Sequence, residues 1–304
     1  MLSKALSHFP QFRFRDGEKR LWNPILKKTF VNLPEERVRL KLIDFLTMES
    51  GISDSRISFE SPVKLVGDKS KSRTDIICYD NDFKPLLLVE CKAPDIKLDE
   101  KAAIQVARYN QKVGAPFVLV SNGTLDFWFK IEDEQVISQE KIPKPFKPMN
   151  EIQRPLTYWE ERAFVGQKLK PEAKVFATNT CTALFGDPHQ PVKFLSFEGF
   201  PSEFALGHYY RIFGVRENVK MGISIAANSF GRTRLNVVLN EAGANTAFFT
   251  TSLDLIAEQE KKNTEIHSSK GRSEIDLTDE TGFDLNKNIV NVIPEFHRLL
   301  LKHS

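Results

Sequence analysis

The sequence predicts an α/β core, a central sheet flanked by helices, followed by a second, β-rich α+β domain. Three observations carry this expectation. Between residues 34 and 132 the patterns read helix, three strands, helix, strand, strand. The third strand, PLLLVECK at 85–92, is apolar at almost every position, as befits a strand covered on both faces. From 142 to 155 the prolines Pro143, Pro145, Pro148 and Pro155 punctuate a polar stretch, and beyond it period-two alternation dominates.

A polar, arginine-bearing lead-in runs to about Asn32. Pro34, Glu35 and Glu36 then open a helix, because proline suits the first turn and acids there complement the helix dipole. Val38, Leu42, Phe45 and Leu46 keep helical spacing, which predicts a helix to about Met48, ended by Gly51. Strands are predicted over 56–65, 74–79 and 85–92. A basic loop, VGDKSKSR, separates the first two, and a turn at Asn81-Asp82 separates the second and third. A helix over 98–113 carries Ala102, Val106, Tyr109 and Val113 on one side. The strands PFVLVS and LDFWFKI follow, joined at Asn122-Gly123, a strong hairpin signal.

This organisation suggests a first domain over 1–141, a proline-rich linker over 142–155 and a second domain over 156–304. The second should begin with helix to about Leu184, continue as antiparallel strands over 192–253, and close with a helix patterned by Ile289, Val292, Ile293, Phe296, Leu299 and Leu300. It contains no motif that can be tied to chemistry.

The bulk composition excludes several classes. The chain has 304 residues, 41% apolar and 27% charged, ordinary for a soluble globular protein. With 43 basic and 40 acidic residues the net charge is only +3, so any nucleic-acid surface must be local rather than global. Cys78, Cys91 and Cys181 lack CxxC spacing and read as reduced thiols, and the six histidines form no zinc-ligand pair. No apolar run reaches membrane-spanning length and the first residues lack a signal-peptide core, so a cytoplasmic protein without membrane association is expected.

The chemistry sits in the first domain. In Glu90-Cys91-Lys92 a strand period of two puts Glu90 and Lys92 on one face and turns Cys91 away. Asp75 begins the preceding strand, and a hairpin around Asn81-Asp82 would bring the two carboxylates to one end of the sheet. Asp75, Glu90, the Cys91 backbone carbonyl and water would make a hard-oxygen site suited to Mg²⁺, with Mn²⁺ able to substitute. A lysine there can neutralise charge on a scissile phosphate, or orient the attacking water. Lys69, Lys71 and Arg73 lie just before Asp75, where phosphates would approach. The competing reading is a strand-start aspartate with a surface Glu90–Lys92 pair worth about 0–1 kcal/mol. Against it, both charges end a strand whose preceding residues are all apolar.

Gln105 and Tyr109, spaced i,i+4, share one side of the second helix and could face the site; one buried tyrosine with one exposed glutamine is the alternative. Glu36 borders the apolar stripe and could project toward the sheet, or could simply compensate the helix dipole.

The segments PEERVRLKLIDFL, RTDIICYD, LLLVECKAP and AIQVARYN, followed by FVLVSNG, resemble the N-terminal nuclease domain of type I restriction enzyme R subunits. That family is a branch of the PD-(D/E)XK nucleases with a QxxxY element, and the resemblance covers about residues 20–132. It implies a restriction-endonuclease-like mixed sheet flanked by helices. It implies that Asp75 and Glu90 bind Mg²⁺, that Lys92 is the catalytic lysine and Glu36 the helix-borne acid, and that Gln105 and Tyr109 are the supporting pair. The function expected is a metal-dependent endodeoxyribonuclease acting in restriction of foreign DNA, with DNA and a second copy or other restriction subunits as partners. Full R subunits continue into an ATP-driven translocase. This sequence has no GxxxxGK[ST] loop and is too short for that motor, so no ATP site is expected in it. Two alternatives stand beside this: a non-cutting nucleic-acid-binding or regulatory subunit, and a protein whose second domain carries the principal function.

Overall fold

The computed structural model describes residues 1–63, 72–99, 106, 110–133 and 135–304, without the side chains of 61–63 and 72. Two units cluster by contact: Met1–Arg13 with Lys19–Ile152, and Phe14–Glu18 with Gln153–Ser304.

The first unit is built on a six-stranded mixed sheet in the order β4 (Ile57–Val63), β5 (Ser72–Tyr79), β6 (Pro85–Cys91), β7 (Phe117–Ser121), β8 (Asp126–Glu132) and β9 (Gln135–Gln139). Every neighbouring pair is antiparallel except β6 and β7, which run parallel with Leu88 opposite Val118 and Cys91 opposite Ser121. Parallel neighbours need a crossover. The chain between them includes buried Val106 and a helical end at Asn110, whose side-chain amide bonds both the N–H and the carbonyl of Ala115. Val106 packs with Ile77, Leu88, Ala115, Val118 and Val120 in one buried cluster. The apolar run of β6 is thus explained by its central place.

The helix α1 (Pro34–Asp44) buries Val38, Leu40, Leu42 and Ile43, together with the charged Glu36, Arg39 and Asp44. It gives way at Phe45–Glu49 to a π-helical turn rather than continuing as regular helix to Met48. That wider turn sets Phe45 and Leu46 in the core and turns Glu49 inward, where its Oε1 lies 2.7 Å from Nε2 of the fully buried His8.

Ahead of α1 the polar lead-in forms a small three-stranded sheet, β1 (Phe12–Arg15), β2 (Glu18–Asn23) and β3 (Lys28–Phe30). Its turn signal was present: Asp16 and Gly17 both take positive φ, the backbone of a two-residue hairpin turn. Further along, Phe146 is fully buried and stacks on Trp128 at 5.4 Å, so this part of the proline-rich stretch packs into the first unit.

The second unit holds a seven-stranded antiparallel meander in sequence order: β10 (Val192–Leu195), β11 (His208–Arg216), β12 (Val219–Ala227), β13 (Thr233–Glu241), β14 (Ala244–Ser252), β15 (Thr264–Ser268) and β16 (Gly271–Ile275). The expected opening helix is split into α2 (Leu156–Glu161) and α3 (Pro171–Phe185). Two short helices follow, α4 (Leu253–Ala257) and α5 (Leu277–Thr281), before the closing helix α6 (Ile293–His303). On one sheet face Phe249 meets Phe296 of α6 edge-on at 5.1 Å. On the other, Tyr210, Val238 and Phe248 are covered by Phe204 and Leu206. The strands continue past residue 253 into the β15–β16 hairpin. Its sequence, TEIHSSKGRSEI, is polar because β16 is an edge strand, and such strands lack the apolar alternation that marks covered ones.

Candidate active site

The last residues of β6 and the first half of β5 meet where the sheet's regular pairing ends. Ile76 pairs with Val89, the last step of that ladder toward this end. Lys92 N–H donates to the Ser121 carbonyl on the β7 side at 2.8 Å, so the intervening Cys91 N–H points toward β5. There it donates to Asp75 Oδ2 at 2.6 Å. The Asp75 carboxylate is thereby pinned to Cys91, 16 residues on in the chain and flanked by Glu90 and Lys92. The Lys92 ammonium lies 2.7 Å from Glu90 Oε1, as the shared strand face predicts.

A residue overlooked in the sequence completes the cluster. The Arg39 guanidinium donates through Nη2 to Asp75 Oδ1 at 2.6 Å and through Nη1 to Glu36 Oε2 at 2.7 Å. Glu60 Oε1 lies 3.5 Å from Nη1 and Glu35 Oε1 3.6 Å from Nη2, and the group sits 5.1 Å above the Phe59 ring. Glu36 therefore reaches Asp75 through Arg39. The signal was available, since Arg39 is i+3 from Glu36 and four before buried Ile43, on the inward side of α1. Arg73 is more than half exposed and reaches Glu60 at 3.8 Å. Lys69, Lys71, Gln105 and Tyr109 lie outside the described residues.

Among the described residues acids outnumber cations here: Glu35, Glu36, Glu60, Asp75 and Glu90 stand near Arg39, Arg73 and Lys92. Burial, then the charge of Asp75, pushes the Glu90 carboxyl up to about 7 against the pull of Lys92. Burial likewise raises Glu36 to about 7, with Arg39 opposing and Glu60 and Asp75 reinforcing. Asp75 is also raised by burial, despite Arg39 and the Cys91 N–H. Burial works against the Lys92 charge, but the bond to Glu90 and the surrounding acids outweigh it, so its pKa rises and it is an ammonium at neutral pH.

Among the described residues no group of three or more His, Cys, Asp or Glu side chains is arranged to hold a metal ion. A smaller oxygen set fits one. Each carboxylate oxygen of Asp75 accepts one hydrogen bond and has a further lone pair, and Glu36 Oε1 is buried without a hydrogen-bond partner. Buried carboxylate oxygens with lone pairs to spare are the hard donors a divalent cation takes.

The first unit is thus a mixed-sheet α/β domain with an acid on one strand and Glu-x-Lys ending the next, followed by a β-rich one. Residues 34–144, the span that includes Asp75, Glu90 and Lys92, match the family model of the type I restriction enzyme R protein N terminus (HSDR_N). Among solved structures, a fragment assigned to the HsdR subunit of a type I restriction enzyme from Vibrio vulnificus YJ016 is similar at 17% identity and a TM-score of 0.29. That match covers 51% of this chain and 32% of the other. None of the curated proteins matches. No helix among the described residues is long and apolar enough to cross a membrane.

Proposed function

We propose that this chain hydrolyses phosphodiester bonds in DNA with the help of Mg²⁺ or Mn²⁺, as an endonuclease of restriction. The observation that carries this reading is the Asp75 carboxylate held at 2.6 Å from the Cys91 N–H, between Glu90 and Lys92. Asp75, Glu90 and the Cys91 carbonyl would hold the ion, and Glu36 would complete their negative field. Such an ion supplies Lewis acidity at the scissile phosphate and lowers the pKa of water. The Lys92 ammonium, fixed by Glu90, neutralises charge developing on the phosphate and orients the nucleophilic water. Exposed Arg73, with Lys69 and Lys71 beside it in sequence, offers the backbone contacts that would position DNA. Other restriction subunits or a second copy are the partners proposed through the family match.

The test is cleavage of supercoiled plasmid by the full chain with EDTA, Mg²⁺ or Mn²⁺, beside the Lys92→Met variant. Cation-dependent cleavage lost in the variant supports the reading; equal cleavage by both proteins refutes it. A second reading, DNA binding without hydrolysis, is favoured by one observation: Asp75 is engaged by Arg39. Salt-sensitive binding with no cleavage under any divalent ion would select it.

A further inference from the structure

We propose that Arg39 is a resident cation that competes with the divalent ion for Asp75, and that metal binding shifts its guanidinium toward Glu60. This rests on the metal-site reading of Asp75 and Glu90. The guanidinium is the best-placed positive charge in the cluster, 2.6 Å from Asp75 Oδ1 and 2.7 Å from Glu36 Oε2. It is buried with them, so its charge is weakly screened and acts strongly on anything bound to the same oxygens.

A divalent ion on Asp75 would sit about 2.0–2.6 Å from a carboxylate oxygen. Two cations on one carboxylate in a poorly screened site repel, so either the arginine moves or the ion binds weakly. The structure offers the arginine somewhere to go. Glu60 Oε1 is already 3.5 Å from Nη1, just beyond good hydrogen-bond range, and its side chain is one-third exposed. Glu60 itself stands in β4 with φ of 52°, at the register position opposite Asp75, the one step the β4–β5 ladder skips. The Phe59 ring at 5.1 Å gives the guanidinium a face to slide over without losing its cation–π contact. Release of Asp75 Oδ1 would leave that carboxylate held only by the Cys91 N–H, its other oxygen open to the ion. Arg39 thus acts as a positioning residue: it holds Asp75 in place and neutralises it while no metal is bound.

The experiment is a calorimetric titration of Mn²⁺ into the full wild-type chain and Arg39→Gln, with no DNA present. Arg39→Gln should bind Mn²⁺ about tenfold more tightly, a change of about 1.4 kcal/mol. A purely structural arginine would give unchanged or weaker binding on removal, and that result in a variant with wild-type circular dichroism overturns the proposal. Should the variant fail to fold, the Arg39 side-chain nitrogen resonances of the wild-type protein decide: they should move on saturation with Mg²⁺, and resonances that stay fixed overturn it. Absence of any Mn²⁺ binding at millimolar concentration, in wild type and variant alike, overturns the metal-site reading and this inference with it. Equal binding by both overturns the inference alone.

Discussion

Asp75 and Cys91 are joined by a 2.6 Å hydrogen bond from backbone N–H to carboxylate, a side chain standing where strand pairing has ended. This bond ties the acid of β5 to the middle residue of Glu90-Cys91-Lys92. It makes the relative position of the three functional groups a property of the sheet rather than of flexible side chains. It also determines which substitutions report on chemistry and which report on folding.

Asp75→Ala is a poor catalytic probe. It strips the buried Arg39 of its closest carboxylate and leaves the Cys91 N–H unpaired, which should cost about 3–5 kcal/mol. Lys92→Met removes the partner of the buried Glu90 carboxylate, so it should cost about 1–3 kcal/mol, less than Asp75→Ala, while cleavage falls about 10²–10³-fold. Urea unfolding and plasmid nicking, run on both variants, check this. An Asp75→Ala protein as stable as wild type would contradict the structural role.

Stability of the metal-free protein should fall between pH 5 and pH 8. Glu36 and Glu90 sit near 7 in the fold, against an ordinary 4.5. The folded state therefore retains protons that the unfolded chain gives up, and their contribution is present below about 4.5 and lost as pH rises through about 7. Calorimetry in EDTA should show a lower Tm at pH 8 than at pH 5.5. Glu90→Gln should narrow the gap, and a Tm that is flat or rising over this range would contradict the assignment.

The His8–Glu49 pair should behave with the opposite sign. Burial pushes Glu49 up, but the hydrogen bond and charge of His8 and the charge of Lys4 bring its pKa below 4.5. That contribution is present above 4.5 and lost as the pH falls through the depressed value. His8→Leu removes the closer partner of the buried Glu49 carboxylate, leaving it Lys4 at 3.5 Å, and should destabilise by about 1–3 kcal/mol at pH 7, measured by urea unfolding. The double variant His8→Leu with Glu49→Leu should recover part of the loss. A double variant worse than the sum of the singles would argue against a pair.

In the second unit, Gly166 has no room for a side chain. A Cβ there would stand 2.2 Å from the Gly231 carbonyl oxygen, which already accepts the Lys168 N–H. Gly166→Ala should destabilise by about 1–3 kcal/mol or more through forced backbone displacement. Gly207→Ala, with nothing within 4 Å of its Cβ, should be nearly neutral. Thermal melts of both variants separate steric from conformational effects.

Much of the first unit was legible because its signals are local. The β6 run, the turns at Asn81-Asp82 and Asn122-Gly123 and the helix start at Pro34 each depend on residues within a few positions. Those signals place the strands of Asp75 and Glu90 side by side and put Lys92 on the Glu90 face. The three-stranded sheet before α1 and the β15–β16 hairpin were missed because their strands are short or polar. The π-helical turn was missed because nothing in Phe45–Glu49 departs from helical spacing, and the wider turn serves the contact of Glu49 with distant His8.

By itself the sequence determined the order of elements, the strand phase of Glu90 and Lys92, and the acid-rich character of the α1 start. Only the tertiary structure decided that Arg39 lies among those acids, between Glu36 and Asp75. Its four carboxylate neighbours come from α1, β4 and β5. Helical periodicity shows which side of α1 an arginine occupies, but which charges meet it there depends on how the helix and the strands are stacked.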